Sequence, residues 1–318
     1  MKNVRSILFT ILASFSVYTF SSEKSPIEER ILFSNDLALN AHIYLISAAQ
    51  GVRSLPTNLS NEELKQANTA LTRYKQDTAQ RRFHIVRAEG HVATMTANLY
   101  SNMDINSQEC IDSCIVLKQF MPIYQKYIWP QQNQTNTDWI ENAKPRLQQY
   151  GAEIEDQLNQ LFQTAIIPNE HKVDLVDYID RGATTSGRTP NTLLSSTDEG
   201  YRDWHALEMI FHEIAHTYAS GRSSPLRKGI AGKFNSEALK KHRRIWHAIH
   251  FYTVGYVTKE VISDVAPNYT TYAITNNVYG RSWSIYLPLI QKHWTRYLRG
   301  ELSMDQALEY IASDLSGS

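Results

Sequence analysis

His212, Glu213 and His216 stand in the order His-Glu-Ile-Ala-His within an apolar stretch from Leu207 to Tyr218. On a helix, residues four apart lie on one face, a turn from each other. Two imidazoles so placed can hold one metal ion, and the intervening glutamate projects beside them. Zinc lowers the pKa of a coordinated water to roughly 7, and a carboxylate in hydrogen-bond reach can take its proton as it attacks a carbonyl. The surroundings suit a buried helix. Leu207, Ile210, Phe211, Ile214 and Tyr218 recur at three- and four-residue spacing, and neither Pro nor Gly falls between Tyr201 and Ser220.

A catalytic zinc usually takes three protein ligands and keeps one position open. No further histidine lies between Thr217 and Arg222, so the third ligand must come from elsewhere. His247, set among apolar and aromatic residues in Ile245-Trp246-His247-Ala248-Ile249-His250-Phe251-Tyr252, is the best placed. Glu237 sits where thermolysin-like gluzincins carry their third-ligand Glu, but lacks the Asn and Asp that usually flank it. Glu260 and His250 complete the candidates. For the group that stabilises an oxyanion opposite the attacking water, Tyr252 is assigned, with His250, Tyr272 and Arg281 as alternatives. Glu208, one turn before His212, is placed to orient it.

These residues need elements to hold them. Helical patterns run over Asp36–Gln50, from Asn61 onward, over Phe83–Asn98, over Ile111–Tyr127 and over Asp138–Leu161, the last with Pro145 and Gly151 inside it. Lys172 to Ile179 alternates apolar and polar residues and predicts a half-exposed strand. Gly182–Pro190 reads as a turn, Thr192–Ser196 as a short strand, and Thr197-Asp198 as the cap of the HExxH helix. Ser220–Asn235 reads as a basic loop. Helices are then expected over Ser236–Ser263 and Trp283–Leu298, and a last one from Ser303, whose spacing to Gln306 makes a capping box. The expected fold is α+β and mostly α-helical, with a small sheet next to the HExxH helix and a helical N-terminal region before it.

Lys2 and Arg5, the apolar run Ile7–Ala13 and the small residues near Ser21 have the layout of a signal peptide over residues 1–21. A helical region 22–167 and a catalytic region 168–318 would follow. The expected location is periplasmic or secreted, with no stable membrane insertion once the leader is removed. Among 318 residues, 32 are basic and 32 acidic, which leaves no charge excess to hold nucleic acid. The only cysteines, Cys110 and Cys114, read as a small disulfide loop in an exported chain.

The block Trp246-His247, Phe251-Tyr252-Thr253 and Gly255 also carries a resemblance. The chain is similar to a poorly characterised group of exported bacterial HExxH proteins that join the motif to a later W-H-x-x-x-F-Y-T-x-G block. Tyr124-Gln125-Lys126-Tyr127-Ile128-Trp129-Pro130, Val173-Asp174-Leu175-Val176-Asp177-Tyr178 and Trp294-Thr295-Arg296-Tyr297-Leu298-Arg299-Gly300 resemble it too. The resemblance implies a zincin-like metallohydrolase with His247 as third ligand. A zinc-dependent peptidase is thus expected, binding Zn2+ through His212, His216 and His247, with Glu213 and Tyr252 catalytic and a peptide or protein as substrate. A non-catalytic zincin-fold binding module and a cell-wall amidase are the alternatives.

Overall fold

The computed structural model describes residues 25–78, 95–99, 105, 111–180, 182–186 and 191–317. The expected leader and most of the expected helix at Phe83–Asn98 lie outside these residues. So does Cys110; Cys114 is disulfide-bonded.

The fold is α+β and mostly helical, built around a four-stranded sheet of order β1-β2-β4-β3. The strands are β1 (Ile31–Ser34), β2 (His171–Val176), β3 (Ala183–Ser186) and β4 (Asn191–Ser195). β1, β2 and β4 run parallel, whereas β3 is antiparallel to β4 and forms an edge, with Thr185 opposite Thr192. Two strands depart from expectation. β1 lies in a stretch that reads as helical, and β3 lies where Gly and Ser suggest a turn; in β3, Thr184 and Thr185 favour extended backbone once β4 is there to pair with. Gly182 enters β3 at φ +79°, where a Cβ would strike Asp198 and Tyr201.

β2 is an interior strand rather than the half-exposed one its alternation predicts. Val173 and Leu175 face a large core, and Val176 faces a smaller one on the other side of the sheet. Asp174, the polar residue that suggests exposure, is fully buried and pairs with Lys172 at 3.1 Å. A buried ion pair looks the same in sequence as a wet face.

The smaller core is formed by α2 (Leu37–Ala49), α3 (Asn61–Thr78) and α4 (Ile111–Tyr127), after the short α1 (Ile27–Arg30). Asp36 caps α2 by accepting from the Leu39 N–H. α5 (Trp129–Phe162) is one 34-residue helix, longer than expected, with Pro130 in its first turn where no N–H is needed. Trp139, Leu147, Leu158 and Phe162 of α5 join Ile27 and Ile31 in the large core, and β1 pairs with β2. The boundary expected near Pro168 is therefore bridged by both core and sheet.

The large core continues into α6 (Asp203–Tyr218), α7 (Pro225–Lys233), α8 (Glu237–Lys240) and α9 (Ile245–Val261). The expected basic loop thus contains a helix, α7, capped by Ser224. Short helices α10 (Tyr272–Thr275), α11 (Val278–Ser282) and α12 (Leu287–Leu289), a π-helical turn (Ile290–Trp294) and α13 (Thr295–Leu298) follow. Pro288 helps break the single helix expected there, since it has no N–H to donate. α14 (Met304–Ser316) carries the expected capping box between Ser303 and Gln306. Among the described residues no helix is long and apolar enough to cross a membrane.

Candidate metal centre

α6 begins at Asp203, after the expected cap. Asp198 instead accepts from the Gly200 N–H at 2.8 Å and closes a turn. From Ala206 to Ala215 the helix is buried throughout. His212 and His216 fall on one face, and their Nε2 atoms stand 3.0 Å apart. α9 packs against α6 and brings in His247, so that one nitrogen from each of the three rings lies within 4.8 Å of the others. Among the described residues it is the one such group of metal-ligating side chains.

The donor set fits a metal ion. Burial, followed by the neighbouring histidines, pushes His212 and His216 well below the usual imidazole range, so both are neutral and keep a lone pair at pH 7. Two facing Nε2 atoms can share at most one proton; a cation between them would use both lone pairs. His212 is fully buried, whereas His216 and His247 are half-buried, so the cluster opens on one side. A closed structural site would not need that opening.

Aromatic packing fixes the rings. Phe251 stacks on His212 at 3.7 Å, and Trp246 stacks on His247 at 4.8 Å and meets His216 edge-on at 5.7 Å. Trp283 closes on His247 from another side at 4.9 Å. The Nδ1 of His212 is buried without a hydrogen-bond partner, so packing, not a second carboxylate, orients this ring.

The other candidate ligands are elsewhere. His250 uses both nitrogens: Nε2 donates to the His212 backbone oxygen at 2.9 Å, and Nδ1 pairs with the Ser220 hydroxyl at 2.7 Å. It ties α9 to α6 rather than binding metal. Glu237 is 89% exposed and paired with Lys240. Glu260 is exposed and lies about 20 Å along α9 from His247 at 1.5 Å per residue. Glu208 is fully buried but does not orient His212; it accepts from the Tyr269 hydroxyl at 2.5 Å and the Tyr272 N–H at 3.1 Å. Burial pushes its pKa up to about 7. Gly255 permits this packing, because a Cβ there would come within 3.1 Å of the Glu208 carboxylate and 3.0 Å of Thr271.

Glu213 lies beside the cluster with 7% exposure. The Thr185 hydroxyl on β3 sits 2.9 Å from its Oε2 and 2.9 Å from its backbone oxygen. Thr185 also contacts Thr192 at 2.9 Å, which in turn meets His171 Nε2 at 2.8 Å. Burial pushes the Glu213 carboxyl up to about 7, and the Thr185 hydrogen bond opposes that rise. A carboxyl balanced near neutral pH can both take and return a proton. Sequence reading missed Thr185 because its role depends on strand register, for which the local residues give no signal.

Tyr252 is not where its assigned role requires. Its hydroxyl pairs with Thr295 Oγ1 at 2.8 Å, on a face about 140° round the helix from His247. Arg281 is exposed, its Nε donating to the Asn277 backbone oxygen at 3.4 Å. Tyr272 stacks on Phe251 at 6.3 Å. Burial raises its pKa, the hydrogen bond with Tyr201 opposes that rise, and the Asp198 charge and then the Glu213 charge add to it. Trp139 Nε1 holds the Tyr201 backbone oxygen at 2.7 Å.

No protein-family model matches this chain, and neither the curated proteins nor the solved structures include one similar to it.

Proposed function

We propose that the protein is an exported zinc-dependent metallopeptidase that hydrolyses peptide bonds with Glu213 as general base. The observation that carries this reading is the convergence of His212, His216 and His247 within 4.8 Å, with the buried Glu213 carboxylate on the same helix. Zinc held there would act as a Lewis acid and lower the pKa of water at the open position to about 7.

The remaining work falls to the chain. Glu213 accepts the proton of the attacking water and returns it to the leaving amine, held by Thr185 on one oxygen. Tyr272 donates to the oxyanion formed on the carbonyl. β3 is the last strand on its side of the sheet, and a sheet edge can hold an extended peptide through main-chain hydrogen bonds. A purely structural metal site, or a binding module that has lost catalysis, has no need of a carboxylate at position 213.

The test is Glu213→Gln. The variant should keep about one zinc per chain and lose peptide hydrolysis by roughly 100-fold or more. Unchanged turnover in a clean preparation, or a wild-type protein that takes up no zinc when supplied with it, would refute the proposal.

A further inference from the structure

Among the described residues Arg227 faces no carboxylate and its guanidinium donates no hydrogen bond. Arg30, Arg53, Arg146, Arg202 and Arg296 each face a carboxylate, and Arg73, Arg243 and Arg281 donate to amide or backbone oxygens. Arg227 is half-buried, and burial first and repulsion by Arg222 second lower its pKa. It also stands in the first turn of α7, where there is no acidic residue and where the helix dipole disfavours positive charge. Its guanidinium lies over the Trp246 ring, with the guanidinium carbon 4.7 Å from the centroid.

That ring is part of the metal centre. It stacks on His247 at 4.8 Å with 14° between the planes and meets His216 at 5.7 Å. The unpaired guanidinium therefore sits one ring away from two of the three proposed ligands, on the half-buried side of the cluster. Local stability does not account for a cation kept against both its neighbour and the helix dipole, whereas an anionic ligand does. A guanidinium fork matches a carboxylate in two parallel hydrogen bonds.

We propose that Arg227, supported by Arg222, forms a subsite for a carboxylate of the peptide substrate, so that the enzyme prefers peptides with an anion close to the scissile bond. The proposal rests on the metallopeptidase reading. An unmodified peptide offers two sources of that carboxylate: its free C-terminus, or an Asp or Glu side chain.

The test uses three acetylated pentapeptides that differ only in charge: one with a glutamate and a C-terminal amide, one with glutamine in its place and a free C-terminus, and a neutral one with glutamine and the amide. Binding is measured by calorimetry on zinc-loaded Glu213→Gln protein, and cleavage by mass spectrometry on the active protein. At least one anionic peptide should bind roughly tenfold tighter than the neutral one, and which one does so identifies the source. Arg227→Gln should erase that preference, Arg227→Lys should keep part of it, and Arg222→Gln should weaken it, all at unchanged zinc content. Equal binding of the three peptides, or a preference that survives in Arg227→Gln, would overturn the subsite. Preference without any cleavage would leave the subsite standing and sink the peptidase reading; cleavage without preference would do the reverse.

Discussion

His247 and His250 lie one helical turn apart on α9, and replacing each with alanine should give opposite phenotypes. His250 donates to the His212 backbone oxygen and pairs with Ser220, and it is fully buried against Phe162 at 5.4 Å. His250→Ala removes two hydrogen bonds worth about 1 kcal/mol each and leaves the buried Ser220 hydroxyl without that partner at a further cost of about 1–3 kcal/mol. A cavity of imidazole size adds to that. Even without the cavity the sum is about 4 kcal/mol, a large part of a typical stability of about 5–15 kcal/mol, and for a chain of this size it corresponds to a melting point lower by roughly 10 °C. His247→Ala removes a half-buried ring and should cost the metal-free protein less. What it should abolish is zinc-linked stabilisation, about 4 kcal/mol when zinc is a thousandfold above its dissociation constant. The assay is a thermal melt with and without zinc, combined with elemental analysis. His250→Ala should melt lower in both conditions yet keep about one zinc and the zinc-induced rise; His247→Ala should show neither. A folded His250→Ala protein that binds no zinc, or a His247→Ala protein that retains a full equivalent, would refute the assignment.

Two further predictions come from the hydroxyls and from Glu208. Tyr252→Phe should leave kcat within about twofold, whereas Tyr272→Phe should lower it by roughly tenfold or more; steady-state kinetics on any cleaved peptide decides between them, and the reverse order would restore Tyr252 to the site. Burial raises the Glu208 pKa to about 7. A carboxyl that holds its proton more tightly when folded costs stability as pH rises from its unfolded value near 4.3 to its folded value, here by about 3 kcal/mol in all. The buried histidines His212, His216 and His250 have depressed pKa values, and they act in the opposite sense over an overlapping range. The stability difference between wild type and Glu208→Gln isolates the carboxyl, and in urea melts of the metal-free protein it should shift by about 3 kcal/mol in the variant's favour between pH 4.5 and pH 7.5. A difference that does not change with pH would mean that Glu208 ionises as freely in the fold as out of it.

Much of this site could be read in the sequence, because a helix turns a local pattern into a face. The apolar spacing around His212 places α6, and the aromatic setting of His247 separates it from Glu237, which is exposed. Helical phase alone would also have turned Tyr252 away, since five residues carry it about 140° from His247. Phase could not separate His250 from His247, which lie on neighbouring parts of one face. Only their partners do so, and those come from α6 and from Ser220. The strands were harder to read. β1 and β3 are four residues each, too short to show a period, and they are extended because β2 and β4 are there to pair with. Thr185 owes its contact with Glu213 to that pairing. Asp174 reads as half-exposed, and Glu208 as a partner of His212, because residue type does not reveal a buried partner.

The Trp-His-x-x-x-Phe-Tyr-Thr-x-Gly block acts as one device for keeping two helices in register around three imidazoles. A metal site tolerates little slack between its ligands, since a shift of an ångström between α6 and α9 would open the triangle. Where a carboxylate might orient His212, the chain uses the Phe251 ring, stacked at 3.7 Å. Trp246 performs the same service for His247 and His216. Two ties then hold α9 against α6, His250 to the His212 carbonyl and Gly255 against Glu208. Thr253 accepts from Trp294 Nε1 at 2.9 Å, and Tyr252 meets Thr295, so the opposite face of α9 is fixed to the C-terminal segment. The polar residues of the block thus divide by helical face: His247 and His250 toward the metal helix, Tyr252 and Thr253 toward the scaffold. This division explains how a tyrosine so near His247 in sequence can be structural, while the proposed oxyanion donor, Tyr272, has its own backbone N–H anchored to Glu208.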